Sequence, residues 1–346
     1  MLGQSVIRPV MIGFLGIAIL SIVGCQTQTV KNANEPDTLT TGENRVEIES
    51  GNNLEGYHDI ISGKKPPDSQ IITGKLYLPK KCGREKMPAV IIQHGSGNPK
   101  KPWYRKLSMA LNEIGIIALV PDSLSPRGMT GTGSDQSRIS KATRLFDTFS
   151  AFRYLQSIRC VDAKRIGITG YSFGGIIARD SVEKKLAEKL GNGHVYKASL
   201  PVYPSCQANF KNSVPTKTKV HLLVAGADDY TPAKYCIENV KTKKTQGWDI
   251  EITVLDGVHH GFINADGPKR YWNSWTFGGC GWSIIDDDGY SSNDKYGISM
   301  RDGDGWSKAI KTLVQQCAKK GVTAGGSKET VKRTLDFTVQ FFRDNL

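Results

Sequence analysis

The chain has 346 residues, 38% of them apolar, and a formal net charge of +13. That length carries one large domain with a well-buried sheet, or two small ones, and one is the simpler expectation. The charge favours anionic surfaces by long-range attraction, but lysines and arginines are spread along the chain and no nucleic-acid motif accompanies them, so nucleic acid is not an expected partner.

The first ten residues, MLGQSVIRPV, carry Arg8 and no acid, and MIGFLGIAILSIVG follows as a short apolar run ending in small residues. This is the build of a secretory signal over residues 1–24, too short for a bilayer-spanning helix. The run stops at Ile22-Val23-Gly24-Cys25, which resembles the lipobox of bacterial lipoproteins. The resemblance implies that Cys25 is lipidated and anchors the chain at the periplasmic face of a bacterial membrane. Residues 25–45 read as a polar tether, leaving 46–346 as the folded domain. Cys82, Cys160, Cys206, Cys236, Cys280 and Cys317 remain, an even number in a compartment that permits disulfides.

Short apolar runs then alternate with segments of helical period. In chain order they are strands QIITGKLYLP and PAVIIQ, helix Tyr104 to Glu113, strand IIALVP, helix Ser137 to Ile158, strand RIGIT and helix Gly175 to Leu190. Strands KASLPVY and KVHLLVA follow, then helix Pro232 to Thr245, strand DIEITVL, and helices Trp306 to Lys319 and Lys328 to Arg343. Strands that read as unbroken apolar runs are buried on both faces, which predicts an α/β fold with a parallel sheet covered by helices. Ligands in such sheets sit beyond the carboxyl ends of the strands. One stretch, at about residues 263–305, is loaded with Trp, Tyr, Gly and Asp and follows neither period. It reads as a long insertion of the kind that is functional or stapled.

Arg165 to Gly175, RIGITGYSFGG, places Gly170, Ser172 and Gly174 in a Gly-x-Ser-x-Gly pattern between a strand and a helix. That is the setting of a nucleophile elbow. The turn forces strained angles at the serine, and a Cβ two residues to either side would collide with neighbouring backbone. A serine hydroxyl needs a base that is itself oriented by a carboxylate. KVHLLVAGADDYTP supplies Asp228 or Asp229 just after a strand, and DIEITVLDGVHHGF supplies His259 or His260. A strand also runs into His94-Gly95-Ser96-Gly97, an open loop able to aim a backbone N–H at a developing oxyanion. The amides of Ser96 and Phe173 are the expected donors, with His94 ordering the loop. Arg127, after another strand, is read either as a clamp for a substrate carboxylate or as a loop arginine bonding backbone carbonyls. Trp272, Trp275, Phe277 and Trp282 form either a wall over the pocket or the packing of a disulfide-linked loop. Asp286, Asp287, Asp288, Asp302 and Asp304 lack EF-hand spacing, and neither metal nor cofactor is expected.

The set HGSG, PDSLSPRG, RIGITGYSFGG, GADDYTP and HHGF, in this order from about Ile71 to Leu346, resembles the dienelactone hydrolase family of α/β-hydrolases. The resemblance implies the α/β-hydrolase fold, a mostly parallel central sheet with helices on both faces. It puts the nucleophile at Ser172, the acid at Asp228, four residues before Pro232, and the base at His260, directly before Gly261-Phe262. Asp229 and His259 are the fallbacks. The enzyme that names the family has cysteine at the elbow where this chain has serine, so the lactone substrate does not carry over. The implied activity is hydrolysis of a small carboxylic ester through an acyl-enzyme. The rivals are a peptidase or polysaccharide deacylase on the same fold, and a non-catalytic envelope lipoprotein. The family's strand order further implies that Cys82 pairs with Cys160 and Cys206 with Cys236, leaving Cys280 to join Cys317.

Overall fold

A computed structural model describes residues 39–346; the signal segment, Cys25 and most of the tether lie outside the described residues. The strands are β1 (Gly42–Asn52), β2 (Asp68–Leu78), β3 (Met87–Gln93), β4 (Ile117–Asp122), β5 (Val161–Tyr171), β6 (Ala198–Val202), β7 (Ala208–Phe210), β8 (Lys219–Ala225), β9 (Ile250–Leu255), β10 (Lys269–Thr276), β11 (Ser283–Ile285), β12 (Ser291–Asn293), β13 (Ile298–Ser299) and β14 (Lys319–Ala324). The helices are α1 (Tyr57–Ile61), α2 (Pro102–Glu113), α3 (Lys141–Ser157), α4 (Phe173–Asp180), α5 (Lys184–Leu190), α6 (Ala233–Thr245), α7 (Trp306–Gln316) and α8 (Lys328–Asn345).

All seven expected strands enter one eight-stranded sheet of order β1-β2-β4-β3-β5-β6-β8-β9. From β4 to β9 every pairing is parallel, while β2 runs antiparallel to both β1 and β4. Alternation along β3 shows how both faces are filled. Ile91 packs towards Leu145, Phe149 and Phe152 of α3, whereas Val90 and Ile92 pack on the opposite face with Leu107 and Leu111 of α2 and Phe341 and Phe342 of α8. This is the doubly covered, mostly parallel sheet of an α/β-hydrolase.

Three local departures have physical causes. β1 starts at Gly42, inside the stretch read as tether, because residues 42–52 pair with β2 over its whole length and bury Val46 and Ile48. The single helix expected from Gly175 to Leu190 divides into α4 and α5. Between them Glu183 bridges to Pro215 and the Lys184 N–H donates to the Val214 carbonyl, 3.0 Å, which draws the chain out of helical geometry. The insertion is not shapeless: β10 pairs with β14, and β11, β12 and β13 join β7 in a small four-stranded sheet. Helix α7 stops at Gln316 rather than Lys319 because β14 takes over the pairing with β10.

Disulfides join Cys82 to Cys160, Cys206 to Cys236 and Cys280 to Cys317, with Cα separations of 5.2, 4.9 and 5.2 Å. These are the pairs the family resemblance implied, and such bonding belongs to an exported chain rather than one kept in a reducing compartment.

Candidate active site

Strand β5 runs into α4 at Ser172, whose backbone angles are φ 55° and ψ −115°. That conformation is costly for a residue with a side chain and persists only where the surroundings over-determine it. The surroundings do so here. The Ser172 N–H donates to the Val202 carbonyl, 3.0 Å, and a Cβ at Gly170 would meet the Gly174 carbonyl oxygen at 2.1 Å. A Cβ at Gly174 would meet the Gln93 oxygen at 2.4 Å, so the Gly-x-Ser-x-Gly spacing is the spacing at which the backbone can close this turn. The loop after β3 packs on the same turn, with the ideal Cβ position of Gly95 only 3.4 Å from Ser172 Cβ.

His260 Nε2 lies 2.9 Å from Ser172 Oγ, and Nδ1 lies 2.8 Å from Asp228 Oδ2. The tautomer that satisfies both contacts carries its proton on Nδ1, leaving Nε2 to accept from the hydroxyl. Asp228 is buried and its Oδ1 accepts the N–H groups of Tyr230 and Thr231, at 2.8 and 2.7 Å. Thr231 Oγ1 is 3.0 Å from Asp228 Oδ2 and 3.1 Å from His260 Nδ1. The imidazole sits between the rings of Tyr203 and Tyr230, each 4.7 Å away between centroids. Tyr203 itself has a φ of 37°, a second strained residue beside the serine. The backbone of His260 is held from below, its carbonyl accepting the Gly325 N–H at 2.7 Å.

The two fallbacks face elsewhere. Asp229 is an exposed partner of Arg270, 2.6 Å, and accepts the Thr323 N–H, while His259 Nδ1 makes no hydrogen bond among the described residues. His94 orders its loop: Nδ1 donates to the Gly97 carbonyl, 2.7 Å, and Nε2 accepts the Ser123 N–H, 3.2 Å. Burial, reinforced by the Arg144 guanidinium, pulls its pKa down to about 3, so the ring is neutral. The N–H groups of Ser96 and Phe173 make no hydrogen bond within the described residues. Ser96, Phe173 and Ser172 all line one cavity of about 150 Å³.

Arg127 is walled off from that cavity. Its Nε donates to Asn52, Nη1 to the Ser123 carbonyl and Asp147, and Nη2 to the Gly51 carbonyl and Asp147, so no donor remains for a substrate. The buried ion pair with Asp147 outcompetes any solvent-facing pose. Trp272 and Trp275 do not line the cavity either. Pairing of β10 with β14 leaves Trp272 71% exposed against Arg270 and sets Trp275 against Lys320. The aromatic lining comes from Phe173, Tyr230, Phe277 and Trp306, while Trp282 packs edge-on against Tyr235.

Arg144 is the supporting residue that sequence reasoning missed. It is fully buried on α3, donates to the carbonyls of His94 (2.6 Å) and Gly95 (3.1 Å), and lies 4.9 Å over the Phe173 ring. The signal was available: Arg144 shares a helical stripe with Thr148, Ala151 and Leu155, all buried, where a charge has no place unless it has work to do.

A mostly parallel doubly covered sheet with a strained serine at a strand-to-helix turn defines an α/β-hydrolase. Residues 72–287 match the dienelactone hydrolase family, and the chain belongs to it. It is a hydrolase acting on ester bonds. Among relatives, it is 25% identical over 219 residues to a protein of Aquifex aeolicus named "Putative carboxymethylenebutenolidase", covering 59% of this chain and 89% of the other. It is 23% identical over 220 residues to Protein usf of Aquifex pyrophilus, covering 59% and 90%. Among solved structures, a propionate-bound thermophilic esterase of Thermogutta terrifontis has a TM-score of 0.46 and 16% identity, over 62% of this chain and 87% of that one.

Proposed function

We propose that the protein is a serine hydrolase that cleaves carboxylic esters through Ser172, His260 and Asp228. The observation that carries this reading is the unbroken contact series from Ser172 Oγ to His260 to Asp228, 2.9 and 2.8 Å, at the end of a strained turn. His260 Nε2 takes the Ser172 proton as Oγ attacks the ester carbonyl. The oxyanion is received by the N–H groups of Ser96 and Phe173, and Asp228 holds the imidazolium. His260 returns the proton to the departing alcohol, and a water activated by the same nitrogen then releases the acid. The serine, rather than cysteine, favours a carboxylic ester over the lactone chemistry of the family's namesake. The apolar run ending at Gly24-Cys25 supports delivery as a lipoprotein anchored through Cys25 at the periplasmic face.

A fluorophosphonate probe tests the reaction: it labels the wild-type protein at Ser172 and leaves Ser172→Ala unlabelled. Turnover of p-nitrophenyl esters of graded chain length by wild type and not by Ser172→Ala completes the test. A protein that binds no probe and cleaves no ester is an envelope scaffold, and the reading fails.

A further inference from the structure

The cavity that holds Ser172 is lined by apolar side chains, hydroxyls and amides, and among its described lining residues Lys141 is the only charged one. Lys141 is half-buried, stands 5.7 and 5.6 Å from the rings of Tyr57 and Trp306, and makes no ion pair or hydrogen bond among the described residues. Asp180 acts on it at longer range, but the Asp180 oxygens are already taken by Tyr57 Oη and Arg179 Nε, both at 2.6 Å. Burial, resisted by Asp180, pulls the lysine's pKa down to about 8, which leaves the ammonium largely charged at neutral pH.

Its place on the helix makes the charge stranger still. Lys141 is the first residue of α3, after the Ser140 cap, where the helix already presents positive charge and disfavours a cation. Three residues on, Arg144 touches the His94 and Gly95 carbonyls, so Lys141 lies on the same helical face one turn nearer the carboxyl edge of the sheet. Helix stability does not explain a lysine in that position, and the two rings beside it leave its hydrogen-bond donors without an acceptor among the described residues. With Arg127 sequestered by Asp147, it is also the cation left facing the cavity.

We propose that Lys141 is the specificity-determining residue of this site, its ammonium receiving a carboxylate carried by the ester substrate. This rests on the esterase reading and narrows it to anionic esters. The test pairs esters of matched size: mono-p-nitrophenyl glutarate against p-nitrophenyl valerate for an anionic acyl group, and 3-acetoxybenzoate against phenyl acetate for an anionic alcohol. In at least one pair the anionic member has a kcat/KM at least tenfold higher. Lys141→Met removes that preference through KM, and Lys141→Arg retains it. A wild-type enzyme that cleaves both members of both pairs equally overturns the inference while leaving the esterase reading intact. So does a Lys141→Met variant that loses both members of a pair in the same proportion, since that marks a structural role. A second measurement does not need turnover: glutarate binding by calorimetry to Ser172→Ala, absent in Ser172→Ala/Lys141→Met, supports the anion site, and equal binding by the two refutes it.

Discussion

Replacing Arg144 with methionine separates the support of the oxyanion loop from the stability of the fold. Two charge-assisted hydrogen bonds, to the His94 and Gly95 carbonyls, are lost. At about 1.5 to 3 kcal/mol each they sum to roughly 3 to 6 kcal/mol. Against this stands the burial that pulls the guanidinium's pKa from 12.5 to about 10, a penalty worth roughly 3 kcal/mol that methionine does not incur. Arg144 Nε is in addition buried without a partner among the described residues, so the arginine was never fully satisfied. The net loss is therefore about 0 to 3 kcal/mol, and the variant folds. Catalysis suffers more. With two carbonyls released beneath it, the loop no longer holds the Ser96 N–H in place, and loss of one oxyanion donor costs about 10²- to 10³-fold in kcat. Thermal unfolding and kcat on p-nitrophenyl acetate measure the two effects on one sample. A folded Arg144→Met protein with wild-type kcat would refute the claim that this guanidinium supports the oxyanion loop.

Asp228→Asn keeps the shape but forfeits the Nδ1 tautomer, and kcat should fall by about 10⁴-fold with little change in Tm. Gly174→Ala places a Cβ 2.4 Å from the Gln93 oxygen, so the elbow must open and the fluorophosphonate labelling rate should drop below detection. His94 is depressed from 6.5 to about 3, so the unfolded chain binds its proton first: the stability this residue contributes is whole above pH 6.5 and is lost as pH falls towards 3. A His94→Gln variant should show a flatter stability profile across that window in denaturant titrations, and an unchanged slope would argue against a buried neutral ring.

Much of the site was legible because its chemistry lies close to strand ends. Ser172, Asp228 and His260 each follow a readable apolar strand, so the parallel sheet alone carries them to one edge. What stayed hidden depends on which side chain faces which partner. Arg127 reads equally as a carboxylate clamp or as a loop arginine bonding carbonyls, and the choice is made only when α3 brings Asp147 against it, a contact between residues 20 apart with no shared motif. Trp272 and Trp275 read as either a pocket wall or loop packing, and pairing of their strand with β14 keeps them out of the cavity. Lys141 lies inside the helix expected from Ser137 to Ile158, and only the cavity makes it conspicuous. β1 carried a usable alternation, with Val46 and Ile48 buried between exposed glutamates, but its polar residues merged with the tether before it.

The insertion escaped because three of its four strands are two or three residues long, too short to show a period, while the fourth, β10, buries no side chain fully and so shows no apolar alternation. Yet the insertion and α7 supply Phe277, Ile298, Met300, Trp306 and Ile310 to the wall facing Ser172. Two different parts of the chain thus meet at the cavity: the sheet edge fixes Ser172, while a segment with little core of its own shapes the space in front of it. Such a wall must be tied down from outside. From outside the insertion Gln207 Nε2 donates to the carbonyls of Phe277 and Gly281, each at 2.9 Å, and within it Asn293 Nδ2 donates to the Cys280 carbonyl at 3.2 Å. The Cys280–Cys317 bond closes a separation of 37 residues between the insertion and the end of α7, a constraint worth about 4 kcal/mol by loop entropy. That is comparable to the burial of two large side chains. The wall facing Ser172 therefore leans on the Cys280–Cys317 bond, while the contacts from Ser172 to His260 and Asp228 involve neither cysteine.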